Sequence, residues 1–205
     1  MAIRKPIEDK EAVRQAIDFA LKGELIAFPT DTVYGVGSIV DPQAVSKIYR
    51  AKERPLDKPI PILLSDDSYL EKYAKDIDAI AMELARTFWP GALTLVVRAR
   101  EDVAEAVGSK DGTVGFRIPD YEPAREIIRQ CGGAMAVTSA NISGERNPLT
   151  ADDVEHDLGD RVAIILDGGP CRIGKPSTVV DLSKEKPLIV RKGALAEQIR
   201  AILEK

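Results

Sequence analysis

Twice in this sequence a short apolar run of strand length ends abruptly in a loop of hydroxyls, amides and glycines. Leu25 to Phe28 meets Pro29 and opens into Thr30-Asp31-Thr32-Val33-Tyr34-Gly35-Val36-Gly37, and Ala134 to Thr138 runs into Ser139-Ala140-Asn141-Ile142-Ser143-Gly144. A polar loop directly after a strand is a common ligand holder on α/β scaffolds. The two loops therefore constrain both the fold and the place where chemistry is to be sought.

The intervening segments fit such a scaffold. From Asp9, Val13, Ile17 and Leu21 recur at helical spacing until Gly23, a residue suited to a helix stop. Asp41-Pro42 supplies a cap and a first-turn proline for a helix with Val45, Ile48 and Tyr49 on its buried stripe, ending in Lys52-Glu53-Arg54-Pro55. Further helices are predicted over Asp76 to Trp89, stopped by Pro90-Gly91, over Pro123 to Gln130, stopped by Gly132-Gly133, from Thr150 with Asp153 three residues on, and from Ala194 to the end. Strands are predicted at Ala92 to Arg98, Thr113 to Ile118, Val162 to Leu166, Thr178 to Leu182 and Leu188 to Val190. Pro59 to Leu64 carries two prolines, which predicts an edge or bulged strand. Helices and strands alternate early while strands crowd late. The expected class is α/β (α+β), a mixed sheet with helices on its faces, in one domain over residues 1–205.

Composition narrows the function classes. Both charge signs are spread along the chain, and a formal net charge of -4 lacks the footprint of a dedicated nucleic-acid binder, although a local basic cleft remains compatible with it. Cys131 and Cys171 lie far apart, which argues against a disulfide framework or a cysteine metal site and for a reducing cytoplasm. The charged start, Met1 to Lys10, has no signal-like apolar core, and no apolar run approaches the ~20 residues that span a bilayer. Neither secretion nor membrane insertion is expected.

Among polar residues, Lys52, Arg54 and Lys58 place three cations within seven positions beside stiffening prolines. They could hold a triphosphate or simply solvate a helix end. Arg117 interrupts the apolar pattern Val114-Gly115-Phe116-Arg117-Ile118, so it needs solvent, an anion or a buried salt bridge. Ser139 and Asn141 could contact phosphate or ribose, or merely form a turn. The glycines of Tyr34-Gly35-Val36-Gly37 match neither the dinucleotide fingerprint nor the phosphate loop ending in Lys-Ser/Thr. His156 is the only histidine and sits in a charged helical segment, which speaks against Ser–His–Asp catalysis and, without cysteine pairs, against protein-held zinc. No protein metal site is expected; magnesium carried by a nucleotide would leave little sequence trace.

Taken together, the segments Phe28-Pro29-Thr30-Asp31-Thr32-Val33-Tyr34-Gly35, Lys52-Glu53-Arg54-Pro55, Thr138 to Gly144 and Ser177-Thr178-Val179-Val180-Asp181 resemble the YrdC family, the threonylcarbamoyl-AMP synthases. The resemblance covers nearly the whole chain. It implies a single YrdC-like domain with a twisted mixed sheet around a concave, locally positive cavity. It also implies formation of L-threonylcarbamoyl-AMP and pyrophosphate from L-threonine, bicarbonate and ATP with Mg2+. A partner transferase would then modify the tRNA adenosine beside the anticodon. By the same resemblance, Lys52, Arg54, Lys58, Thr113, Ser139, Asn141, Asn147 and Arg191 would face ATP, with Lys52 and Arg54 catalytic. Thr32, Arg117, Val137 through its backbone, and Ser177 would line the threonine pocket. Longer members carry a pocket histidine where this chain has Leu63, and a C-terminal domain beyond the equivalent of Lys205, so a lid is expected to come from this chain's own segments or to be absent. The rival expectation is a double-stranded RNA-binding or ribosome-maturation module using the same cavity without turnover; net acidity counts against it.

Overall fold

The computed structural model describes residues 2–203. Its strands are β1 (Ile3–Pro6), β2 (Ile26–Phe28), β3 (Gly35–Ser38), β4 (Ile62–Leu64), β5 (Leu93–Arg98), β6 (Thr113–Arg117), β7 (Ala134–Ser139), β8 (Ile164–Asp167), β9 (Thr178–Asp181) and β10 (Leu188–Arg191). Its helices are α1 (Lys10–Leu21), α2 (Pro42–Lys52), α3 (Leu70–Tyr73), α4 (Ala79–Phe88), α5 (Glu101–Ala106), α6 (Glu122–Gln130), α7 (Ala151–Leu158) and α8 (Ala196–Leu203). The strands form one mixed sheet in the order β1-β8-β2-β3-β7-β4-β6-β5-β9-β10. Four of its pairings are parallel, β1 with β8, β2 with β8, β4 with β6 and β5 with β9; the others are antiparallel.

Because side chains alternate across a strand, the short central strands feed two cores at once. Ile26, Phe28, Leu63, Met135 and Val137 pack with Ala16, Ile17, Ile127 and Ile128 of α1 and α6 on one face. Ala27, Ile62, Leu64, Ala134 and Ala136 pack with Val45, Ile48 and Val154 of α2 and α7 on the other. A third cluster joins Leu84 and Ile199 of α4 and α8 to Leu93, Leu95 and Val180. The helix starts follow the expected chemistry: Asp9, Asp41 and Asp78 cap α1, α2 and α4, and Thr150 with Asp153 forms a reciprocal capping box on α7.

The structure corrects several expectations. Thr30 to Gly37 is not one loop, because Gly35–Ser38 turns back as β3 against β2. Its two glycines hid the strand, and they are there for backbone approach: a Cβ on Gly37 would stand 2.3 Å from Ala136 O, and one on Gly35 2.7 Å from Val137 Cγ1. Strand β4 is central, between β7 and β6, not an edge. Pro59 and Pro61 precede its paired residues, and Pro61 still accepts a bond from Val137 N–H at 3.0 Å. The charged start contains β1, exposed throughout and paired in parallel with β8. Leu21, one of the positions recurring at helical spacing, is 51% exposed; alanines at 12, 16 and 20 take α1 contacts with the core instead. Helices α3 and α5 are too short for a periodic signature.

Candidate active site

One sheet face carries the site. Thr94 on β5, Arg117 on β6, Leu63 on β4, Val137 and Ser139 on β7 and Gly35 on β3 line an inner cavity of about 150 Å³. Leu63 lies directly beside Arg117 in the β4–β6 register. Loops close the rim: Thr30 and Thr32 from the β2–β3 hairpin, Arg54 after α2, Asn147 before α7, Ser177 before β9, and Arg191 at the end of β10. A second, outer cavity of about 400 Å³ shares Arg54, Pro61, Thr94 and Arg191 with the first and adds Thr113 and Gly115 of β6.

Arg117 is the fixed point of the inner cavity. It is 6% exposed, and its guanidinium donates through Nε to Gly91 O at 2.9 Å, through Nη1 to Thr32 Oγ1 at 2.8 Å, and through Nη2 to Asp31 Oδ1. The pair with Asp31 is a buried salt bridge, with the aspartate side chain 0% exposed. Three of the five donors of an arginine are thus committed, and two are left for a ligand. Thr30 Oγ1 donates to Val33 O at 2.7 Å and so accepts from Thr32 Oγ1 at 3.0 Å, which fixes the Thr32 hydroxyl. Burial pushes the Arg117 pKa down, while Asp31 pulls it back up.

Opposite stands a second wired group. Arg191 lies on the exposed edge strand, but its guanidinium turns inward to donate to Ser177 O at 3.0 Å and Ser177 Oγ at 2.9 Å; Ser177 Oγ in turn meets Thr94 Oγ1 at 2.7 Å. Arg54 donates to Lys58 O at 2.9 Å and Pro59 O at 3.0 Å. The pKa values of Arg191 and Arg54 are both lowered, chiefly by burial, and Arg191 also by the charges of Arg117 and Arg54. Three guanidiniums of like charge converge on one cleft, an arrangement that an entering anion relieves. The concave, locally positive cavity is therefore present in a chain of net negative charge.

The structure brings together Thr32, Arg54, Arg117, Val137, Ser139, Asn147, Ser177 and Arg191 around the inner cavity, and places Thr113 on the outer one. It does not bring Lys52, Lys58 or Asn141 to either wall: Lys52 is 1% exposed, Asn141 is 5% exposed, and Lys58 is exposed to solvent. The three cations of one sequence run thus separate. Val137 spends its N–H on Pro61 O, and its side chain lies against Gly35. Sequence reasoning gave no role to Asp31 or Thr94. Asp31 had one signal, an acid inside a hydroxyl loop after a strand; Thr94, in an apolar run, had none. Among the described residues no group of three His, Cys, Asp or Glu side chains is placed to hold a metal ion.

A mixed sheet whose middle strands carry an arginine-lined double cavity defines an α/β cleft protein built to receive an anionic ligand. The comparisons say which kind. The family model Sua5/YciO/YrdC, described as telomere recombination, matches residues 18–193, and the chain belongs to this family. The threonylcarbamoyl-AMP synthase of Pyrococcus abyssi is 40% identical over 203 residues, covering 98% of this chain and 59% of the relative. That of Bacillus subtilis is 41% identical over 194 residues, covering 93% and 56%. The present chain therefore spans less than two thirds of the length of these two relatives. A putative threonylcarbamoyl-AMP synthase of Mycobacterium tuberculosis, 38% identical, is covered over 92% of its length. The crystal structure of P. abyssi Sua5 complexed with L-threonine superposes with a TM-score of 0.90 at 40% identity, covering 98% of this chain and 60% of that one. E. coli YciO superposes at 0.82 with 27% identity, covering 95% of both chains. The twisted mixed sheet with flanking helices is the fold of this family.

Proposed function

We propose that this chain is a nucleotidyltransferase forming L-threonylcarbamoyl-AMP and pyrophosphate from L-threonine, bicarbonate and ATP, for modification of tRNA next to the anticodon. The observation that carries the reading is Arg117: a guanidinium anchored by Asp31, Thr32 and Gly91 on a cavity wall, with two donors left over. One uncommitted N–H on each terminal nitrogen is the donor complement that an amino-acid carboxylate would take. Thr32, Ser177, Leu63 and Val137 line the same cavity; in this reading the two hydroxyls would meet the polar groups of a small amino acid and the two apolar side chains its methyl group. The shared arginines Arg54 and Arg191 lie where the two cavities meet, a position suited to the phosphates of ATP.

In this scheme the threonine amine adds to bicarbonate with loss of water, giving an N-carboxylate. A carboxylate oxygen then forms a bond to the α-phosphorus of ATP as the bond to pyrophosphate breaks. No covalent enzyme intermediate is needed, so the chain contributes positioning and charge neutralisation. Magnesium enters as the counter-ion of the substrate nucleotide. In this reading the product passes to a tRNA-modifying transferase as partner, and the reaction is assigned to the cytoplasm. Among the described residues no helix is long and apolar enough to cross a membrane.

The deciding measurement is pyrophosphate release from ATP with magnesium. Release that requires both threonine and bicarbonate is expected. Absence of such release from folded protein, with RNA binding that weakens steeply in salt, would instead establish the binding-module alternative.

A further inference from the structure

Lys52 closes α2 with its side chain 1% exposed. Its ammonium meets three oxygens: Ser139 O and Asn141 O at 2.5 Å each, and Asn141 Oδ1 at 3.3 Å. A lysine ammonium has three donors and no acceptor, so nothing remains over for a phosphate. The main chain continues the join, since Lys52 O accepts from Ser143 N–H at 2.9 Å. Asn141 completes it from within the loop, donating through Nδ2 to Glu145 O at 2.9 Å. The loop after β7 is thus stitched to the end of α2, and its two ends carry Ser139 and Asn147, both on the inner cavity wall.

We infer that Lys52 and Asn141 are positioning residues, a buried brace that sets the path of the 139–147 loop and so the placement of Ser139 and Asn147, without touching the nucleotide themselves. The brace also ties that loop to the segment presenting Arg54, two residues beyond Lys52. Burial, helped by the charge of Arg54, pushes the Lys52 ammonium down to about 7, with Asp157 acting in the opposite direction. A buried charge is tolerated when it is fully hydrogen-bonded, and this one is spent inside the protein. The inference rests on the synthase reading only for the identity of the ligand.

Three measurements test it. The first is amine acetylation of the wild-type protein, read by mass spectrometry with and without saturating ATP and magnesium. Exposed Lys58 should be modified while Lys52 stays unmodified in both conditions; Lys52 labelled in the free protein and protected by ATP would overturn the brace. The second is hydrogen exchange in the ligand-free variants Lys52→Met and Asn141→Ala. Loop amides between 140 and 147 should exchange at least tenfold faster in both, with β4 and β6 unchanged. Unaltered exchange, with ATP affinity lost only in Lys52→Met, would make Lys52 a direct ligand. The third is Lys52→Arg: a planar guanidinium cannot converge on three oxygens around one nitrogen, so ATP affinity should fall as in Lys52→Met, whereas rescue by arginine would indicate a charge contact. If Lys52→Met does not fold, the footprint and Asn141→Ala decide. The footprint and exchange readouts need no turnover, so their failure is distinct from failure of the synthase reading, which pyrophosphate release decides.

Discussion

The inner and outer cavities share a wall but hold their charges in different ways. In the inner one, Arg117 is buried and pinned by Asp31, Thr32 and Gly91 before any ligand arrives. On the wall shared with the outer one, Arg54 and Arg191 donate to backbone and hydroxyl oxygens and, among the described residues, to no carboxylate, while Lys58 stands in solvent beyond either wall. Preset, buried donors can select a small ligand by geometry, because unpaired buried groups are costly. Cations without a carboxylate counter-charge attract a polyanion but discriminate less by geometry. Under the proposed function, amino-acid recognition would be built into the sheet and nucleotide phosphates gathered at its rim.

The contrast can be broken most sharply at Arg117. Arg117→Met strands Asp31, whose Oδ2 already has no partner, as a buried unpaired carboxylate. We expect a stability loss of about 3–5 kcal/mol in urea unfolding and threonine-dependent pyrophosphate release reduced to background. Asp31→Asn keeps the shape but removes the counter-charge. Steady-state kinetics should show the threonine KM rising roughly 10- to 100-fold, about 1.4–2.8 kcal/mol, with the ATP KM little changed; an equal rise in both would erase the distinction between the cavities. Arg54→Lys, on the shared wall, loses the planar fork, and the ATP KM should rise by about tenfold with unfolding stability changed by less than ~1 kcal/mol. The smallest effect is expected at Lys58→Ala: an ATP KM change of roughly fivefold or less that disappears in high salt. A Lys58 effect that matched that of Arg117 and survived salt would place a preset site in the rim as well.

Helix ends were legible because their chemistry is local: Asp41-Pro42 and Thr150 with Asp153 cap the helices that follow them. The strands β5, β6 and β7 were legible from apolar runs. Strand β3 was not, because its glycines serve backbone approach to β7 rather than burial of their own side chains. At the site, the family motifs located the loops, and eight of the carried-over residues converge on the inner cavity. Lys52 and Lys58 show the limit: six positions apart in one cationic run, one is swallowed by three oxygens and the other is solvated.

The sequence by itself determined the class of fold, the caps and the motif-bearing loops, since periodicity, capping and turn preferences act over a few residues. Only the tertiary structure decided that Asp31 meets Arg117 across 86 positions, that β4 is central, and that Lys52 points into the protein. Those outcomes depend on which strands pair and which charges lose their water, and neither is encoded in any short stretch of chain.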